Sequence, residues 1–113
     1  MNIQDRRKHP RKKVVRPLQV DDWDRGEPLG HLVDISVEGM MLLSPEPIKM
    51  NRVFQVGLEL PEEIAGGQTA VFGAESLWHE LSNDPGKYWV GFQIIDISPE
   101  NIEKIRRLID ECL

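Results

Sequence analysis

The sequence changes its hydrophobic period near residue 98, and this change restricts the folds that the chain can adopt. Before residue 98, short apolar runs alternate with turn-forming residues, which is typical of consecutive β-strands. Six runs are predicted as strands: 14–20, 29–35, 40–44, 52–60, 69–81 and 87–97. Six sequential strands followed by one helix favour a mainly β protein, a small closed or nearly closed antiparallel barrel that hides its edges by closure.

The segment 98–112 is predicted to be an amphipathic C-terminal helix. Ser98 is suited to the N-cap and Pro99 to the first helical position. The apolar stripe contains Ile102, Ile105, Ile109 and Cys112. We expect this face to pack on the barrel, and Glu103 to pair with Arg107 one helical turn later.

The positive charge of the chain is concentrated at its N-terminal end. Residues 1–16 contain seven Lys or Arg and one Asp, a formal charge of +6, whereas residues 17–113 contain seven bases and 18 acids, a charge of −11. Residues 1–13 lack apolar periodicity and are predicted to be a flexible basic arm, followed by a single domain over 14–113. The charge asymmetry predicts an anionic partner for the arm.

The sequence lacks the signatures of the common enzyme and metal-site classes. There is no glycine-rich phosphate loop and no nucleophile elbow. Cys112 is the single cysteine, and His9, His31 and His79 do not have the spacing of metal ligands. We therefore expect no catalytic residue, no metal and no cofactor. No apolar stretch approaches the roughly 20 residues that span a bilayer, and no apolar run follows the basic arm. A cytoplasmic protein without membrane insertion is expected.

Two short motifs carry the candidate binding chemistry. The first is RxxxR, in which Arg7 and Arg11 are preceded by a further base, Arg6. Guanidinium groups are planar and permanently charged, bind phosphate bidentately and stack on aromatic rings. Two of them four residues apart can hold both the phosphates and the bases of a nucleotide.

The second motif is DxSxxG, formed by Asp34, Ser36 and Gly39 at the end of a predicted strand and in the following turn. The carboxylate of Asp34 can accept hydrogen bonds from a guanine edge, and the hydroxyl of Ser36 can donate or accept. Gly39 is expected to adopt a positive φ in the hairpin. A plain structural interpretation of the motif is a hairpin in which Asp34 caps the turn.

RxxxR followed by DxSxxG, on a predicted barrel that ends in a helix, resembles the PilZ domain family of bacterial cyclic di-GMP receptors. The resemblance covers about residues 5–113, including "AESLWHE" and "WVGFQIIDISPENIEKIRRLI". It implies a six-stranded antiparallel PilZ-type β-barrel with a C-terminal α-helix. It also implies that the arm folds over the barrel, so that its arginines contact the bases and phosphates. The opposite wall of the site would be formed by Asp34, Ser36 and Gly39.

The resemblance assigns roles to two further residues. An Arg that directly precedes the motif, here Arg6, goes with a stacked pair of cyclic di-GMP molecules in this family. Trp78 is a candidate for stacking on the bases, and the alternative is a residue of the barrel wall.

The function that this resemblance implies is a cyclic di-GMP receptor that changes the surface it shows to an unidentified effector protein, in motility or biofilm regulation. One alternative is a PilZ-like protein-interaction module that does not bind nucleotide. Another is a nucleic-acid-binding barrel whose basic arm grips RNA or DNA. Nucleic acid is not the expected partner, because the acidic body repels it.

Overall fold

The computed structural model describes residues 12–14 and 17–113. Within these ranges, seven strands and one α-helix follow in chain order: β1 (Lys12–Lys13), β2 (Gln19–Asp22), β3 (Glu27–Ile35), β4 (Gly39–Ser44), β5 (Val53–Glu59), β6 (Thr69–Leu81), β7 (Tyr88–Asp96) and α1 (Pro99–Arg107). A short 3-10 turn, Ala65–Gly67, precedes β6. The observed bounds of β3 to β7 differ from the predicted runs by at most two residues at either end.

Strands β2 to β7 form a closed antiparallel barrel. Around the barrel the order is β3, β2, β5, β6, β7 and β4, and β4 pairs again with β3 to close it. The short strand β1 pairs with β3 beyond the end of β2. The predicted mainly β, six-stranded antiparallel barrel with a C-terminal helix is therefore confirmed, whereas residues 1–11 of the predicted arm lie outside the described residues.

Both described ends of the predicted first strand, 14–20, lie along β3, and residues 15 and 16 lie outside the described residues. The Val14 N–H donates to the Val33 carbonyl at 2.8 Å, and Leu18 accepts from the Leu32 N–H at 2.8 Å. Pro17 has no N–H to donate to the ladder. The C-terminal end of this run continues as β2 to Asp22, two residues beyond the predicted end.

The barrel core is formed by the inward-facing positions of the strands. Along β7 the inward-facing side chains are those of Val90, Phe92 and Ile94, which are 0%, 0% and 9% exposed. Phe92 meets Phe54 of β5 edge to face, with ring centroids 6.0 Å apart. The residues between them, Trp89 and Gly91, therefore face outward.

The C-terminal helix begins as predicted, but its buried face differs. The Ser98 Oγ accepts from the Asn101 N–H at 3.1 Å, and Pro99 is the first helical residue. The fully buried side chains are Ile105 and Leu108, whereas the predicted stripe residues Ile102, Ile109 and Cys112 are only partly buried. Leu108 lies three residues after Ile105 and therefore shares its face of the helix, although it was not included in the predicted stripe. A π-helical turn follows over Leu108–Cys112.

The predicted ion pair between Glu103 and Arg107 is wrong. The Arg107 Nε instead lies 2.9 Å from the Glu111 Oε2, and Nη2 donates to the Glu63 carbonyl at 3.3 Å. These two contacts direct the guanidinium toward the C-terminal end of the helix and away from Glu103. Among the described residues, no helix is long and apolar enough to cross a membrane.

Candidate functional site

Four outward-facing positions lie opposite one another across the barrel wall, and we call them the outer row. The pairings join Asp34 of β3 to Met41 of β4, Met41 to Gly91 of β7, and Gly91 to Trp78 of β6. Neighbouring strands are about 4.8 Å apart, so the row extends about 14 Å. The register therefore brings the acid of DxSxxG and the candidate stacking residue onto one surface.

A bulge in β3 turns Asp34 outward. Leu32 pairs with Leu42 and is buried, whereas the register shifts before Asp34 pairs with Met41. In an undisturbed strand, residues two apart share a face, so Asp34 would point inward like Leu32. The extra residue Val33 reverses this, and Asp34 is half-buried on the outer side.

A second bulge turns Trp78 outward at the other end of the row. Ser76 pairs with Phe92 and is 0% exposed, and the register shifts before Trp78 pairs with Gly91. Leu77 is the extra residue, so Trp78 lies on the face opposite to Ser76. The Trp78 side chain is 37% exposed. The bulges at both ends of the row thus place the Asp34 carboxylate and the Trp78 indole on the same surface.

Glycine at position 91 allows the Trp78 indole to lie directly over β7. A Cβ atom at this position would collide with Nε1 and Cε2 of Trp78, and would lie 2.8 Å from Cζ2. The neighbouring member of the row, Met41, is half-buried. The outer row therefore offers a carboxylate at one end and, at the other, an indole supported from beneath by backbone.

The chain segment that carries the arginines enters the structure beside Asp34. In β1, Lys13 pairs with Asp34 and Lys12 pairs with Ile35. Arg11 is the residue directly before Lys12, so the predicted RxxxR motif is covalently attached at this end of the outer row. Arg6, Arg7 and Arg11 themselves lie outside the described residues, and their roles stay predictions.

The serine of DxSxxG holds the hairpin between β3 and β4. Ser36 is 2% exposed, and its Oγ accepts from the N–H groups of Glu38 at 3.2 Å and Gly39 at 3.3 Å. The Ser36 N–H donates to the Gly39 carbonyl at 2.8 Å, and the Glu38 carbonyl accepts from Ile94 at 2.8 Å. The turn is therefore capped by Ser36, not by Asp34 as the plain hairpin interpretation expected.

The expected positive φ of Gly39 is wrong. Positive-φ glycines among the described residues are Gly26, Gly66, Gly67 and Gly86. Gly39 is instead the first residue of β4 and pairs with Gln93. The serine side chain turns the backbone by hydrogen bonding, so the hairpin needs no left-handed residue at this position. Contact of Ser36 and Gly39 with a ligand stays a prediction.

Sequence reasoning missed Met41 and Gly91, which complete the outer row. The alternation of β7 does indicate that Gly91 faces outward, but only the pairing register shows that it lies beneath Trp78. A cleft of about 700 Å³ lies elsewhere, between the β2–β3 turn and the β4–β5 loop, and its lining includes neither Asp34 nor Trp78. In the described part of the chain, no group of three or more His, Cys, Asp or Glu side chains could hold a metal ion.

The comparison with protein families gives a match over nearly the whole chain. The PilZ domain model matches residues 5–111, which include both motifs and every described strand. A search of curated protein sequences found no match.

Solved structures share the fold at low sequence identity. The Bacillus subtilis inhibitor of motility MotI/DgrA has a TM-score of 0.69 and 16% identity, covering 94% of this chain and 52% of that chain. Escherichia coli YcgR in complex with c-di-GMP has a TM-score of 0.71 and 19% identity, covering 92% and 44%. The complex of K. pneumonia MrkH with c-di-GMP has a TM-score of 0.70 and 16% identity, covering 91% and 49%. This chain spans about half the length of these proteins.

Proposed function

Because this chain belongs to the PilZ domain family, we propose that it is a receptor for cyclic di-GMP, without catalytic activity, that binds the nucleotide on the outer row. The observation that carries this proposal is the pairing of Lys13 with Asp34. It attaches the arginine-bearing segment to the end of a surface that already holds an acidic group and, across the row, an exposed indole. Each of these groups suits one part of a guanine dinucleotide.

The chemistry of the ligand divides among three kinds of side chain. Arg7 and Arg11 neutralise the two phosphates and stack on the bases, since guanidinium groups do both. Asp34 accepts hydrogen bonds from the N1–H and 2-amino groups of one guanine. Trp78 stacks on a base, an interaction that every nucleobase can make. Selectivity for guanine therefore comes from the carboxylate, while the indole and the arginines supply affinity.

The solved relatives support the choice of ligand. Two proteins of the same fold, YcgR and MrkH, were determined in complex with c-di-GMP. All five positions of RxxxR and DxSxxG are occupied in this chain by the residues of the motif. This favours nucleotide binding over an interaction module that has lost its ligand.

The output that we propose is a change in the surface offered to a protein partner. Residues 1–13 hold six bases and, once ordered over two phosphates, present a different charge and shape beside β3 and β4. One solved relative is an inhibitor of motility and another is described as a c-di-GMP dependent transcription regulatory factor. The partner proposed here is an effector protein of such a motility or biofilm pathway.

Isothermal titration calorimetry of the full chain tests the receptor proposal. Saturable binding of cyclic di-GMP is expected, with much weaker binding of cyclic di-AMP, GTP and a short DNA duplex. A stoichiometry of two nucleotides per chain would agree with the role suggested for Arg6. A stoichiometry of one nucleotide per chain would contradict that role. Absence of binding to cyclic di-GMP would refute the proposal. Binding to the duplex alone, falling steeply with salt, would support the nucleic-acid alternative.

A matched pair of variants separates specific contact from general charge. Arg11→Ala should weaken cyclic di-GMP binding about 10- to 150-fold, because hydrogen bonds to charged groups are lost. Lys8→Ala removes the same charge between the two motif arginines and should change the affinity only severalfold. Equal losses in the two variants would show that the segment acts only through its net charge.

A further inference from the structure

The contact between Gly91 and Trp78 has a consequence for ligand binding. We propose that Gly91 is a positioning residue of the nucleotide site: the missing side chain at this position fixes the height and orientation of the Trp78 indole on which a base stacks. This inference rests on the proposed cyclic di-GMP receptor function. Gly91 itself is not assigned a contact with the ligand.

The first argument is steric. Three atoms of the indole, Nε1, Cε2 and Cζ2, occupy the volume that a side chain at Gly91 would enter. Any other residue there forces Trp78 into a different rotamer, which moves the ring as a whole. The backbone of Gly91 lies in β7, paired with both β4 and β6, so it cannot retreat to make room.

The second argument is the place of this contact in the outer row. Gly91 pairs with Met41 on one side and with Trp78 on the other, and Met41 pairs with Asp34. A base that stacks on Trp78 in the direction of Asp34 passes over these two positions. A ring displaced from Gly91 would stand above the row and obstruct this path.

A second tryptophan supplies a matched control within the same chain. Gly57 of β5 also faces outward, and a Cβ there would lie 2.7 Å from Cε3 and 3.3 Å from Cζ3 of Trp23. Trp23 is 51% exposed, and Gly57 pairs with Asp21 and Val71, away from the outer row. Substitution at Gly57 thus makes the same kind of clash at a place where no ligand is expected.

The test compares Gly91→Ala with Gly57→Ala by calorimetric titration with cyclic di-GMP. The first variant should lose affinity about 5- to 150-fold, the range for losing one base–aromatic stack. The second should stay within about twofold of the unmodified protein. Equal affinities in both variants would overturn the inference while leaving the receptor function intact. Failure of the unmodified protein to bind would overturn the receptor function and this inference together.

A double-mutant cycle shows whether Gly91 acts through the indole. Trp78→Leu alone should lower the affinity by a factor similar to that of Gly91→Ala, and the double variant should lose little more. A purely structural effect of the alanine would instead multiply with the loss caused by the leucine. Multiplying effects would therefore overturn the assignment.

A measurement on the unmodified protein keeps the inference testable if Gly91→Ala does not fold. Nuclear Overhauser contacts between the Gly91 Hα atoms and the indole protons of Trp78 should be present without ligand and persist when cyclic di-GMP is bound. Loss of these contacts on binding would mean that the ring leaves Gly91 to meet the base, which would overturn the inference.

Discussion

Trp23 and Trp78 use the same packing arrangement in two different surroundings. Each indole lies over an outward-facing glycine of the barrel wall, Gly57 in one case and Gly91 in the other, and each stays more than one-third exposed. Trp23 follows the end of β2, and its backbone N–H donates to the Gln55 carbonyl at 2.8 Å. An exposed indole supported by backbone is thus a repeated element of this barrel and does not mark a binding site by itself.

The neighbours of the two rings make the difference. Trp78 lies within a strand, in register with Met41 and Asp34, at the end of a row that receives the basic segment. Trp23 lies in a turn, and the Cγ2 atom of Thr69 would lie 3.0 Å from a Cβ at Gly57. The comparison teaches that strand register, which selects the neighbours, decides which of two similar surfaces is suited to a nucleotide.

The largest difference in ligand affinity between the two regions is expected when each indole is removed separately. Trp78→Ala should reduce the affinity for cyclic di-GMP about 5- to 150-fold, because one base loses its stacking surface. Trp23→Ala should leave the affinity within about twofold, since that ring lies far from the row. Titration of both variants checks this. A larger loss for Trp23→Ala would break the comparison, and the ligand would then have to be sought near the β2–β3 turn.

A smaller effect on affinity, with a clear effect on selectivity, is expected at the acidic end of the row. Asp34→Asn keeps the size of the side chain but replaces a charged acceptor by a neutral one, so cyclic di-GMP binding should weaken about tenfold. The preference for cyclic di-GMP over cyclic di-AMP should fall as well, since the guanine-specific acceptor is weakened.

The control for this variant is taken from the other region. Asp24 is an exposed acid directly after Trp23, and Asp24→Asn should change neither affinity nor selectivity. Titration of both variants with cyclic di-GMP and cyclic di-AMP gives the four dissociation constants needed for the comparison. An unchanged preference for cyclic di-GMP in Asp34→Asn would show that the carboxylate does not recognise the base. The regions around Trp78 and Trp23 would then differ only by the arginine segment.

The sequence predicts the elements of this fold better than it predicts their registration. Turn residues and alternation locate β3 to β7 within two residues, and the N-cap at Ser98 is confirmed. These signals are local, because caps, turns and periodicity act over a few residues. Leu108 was missed because the predicted stripe went from Ile105 to Ile109, whereas the buried face includes the residue three positions after Ile105.

The outer row could be predicted only in part for the same reason. Asp34 and Trp78 are identified by motif and by resemblance, but both face outward because bulges at Val33 and Leu77 shift the strand register. A bulge is set by the pairing with the neighbouring strand and not by the alternation within the strand itself, so alternation alone assigns the wrong face beyond it. The alternation of its own strand therefore predicts that Gly91 faces outward, but it does not predict that Gly91 supports Trp78.

The smallest effect on affinity is expected at the hairpin that holds Asp34. Ser36→Ala removes the acceptor of the Glu38 and Gly39 N–H groups in a buried turn, so the free energy of unfolding should fall by about 1–3 kcal/mol. The affinity should fall only severalfold, because the Ser36 Oγ is occupied by the turn and acts on the ligand through the placement of Asp34. Urea denaturation and titration measure the two quantities.

Ser82→Ala is the matched control, since the Ser82 Oγ accepts from the Asp84 N–H at 3.1 Å in an exposed turn. Water replaces the hydroxyl there, and the stability should change by no more than about 0.5 kcal/mol. If Ser36→Ala keeps its stability and loses affinity more than about 100-fold, Ser36 contacts the nucleotide directly, as the motif predicts. In that case the surface near Trp78 would contact the nucleotide through Ser36 as well as through Asp34. Strand register alone would then not account for the difference from the surface near Trp23.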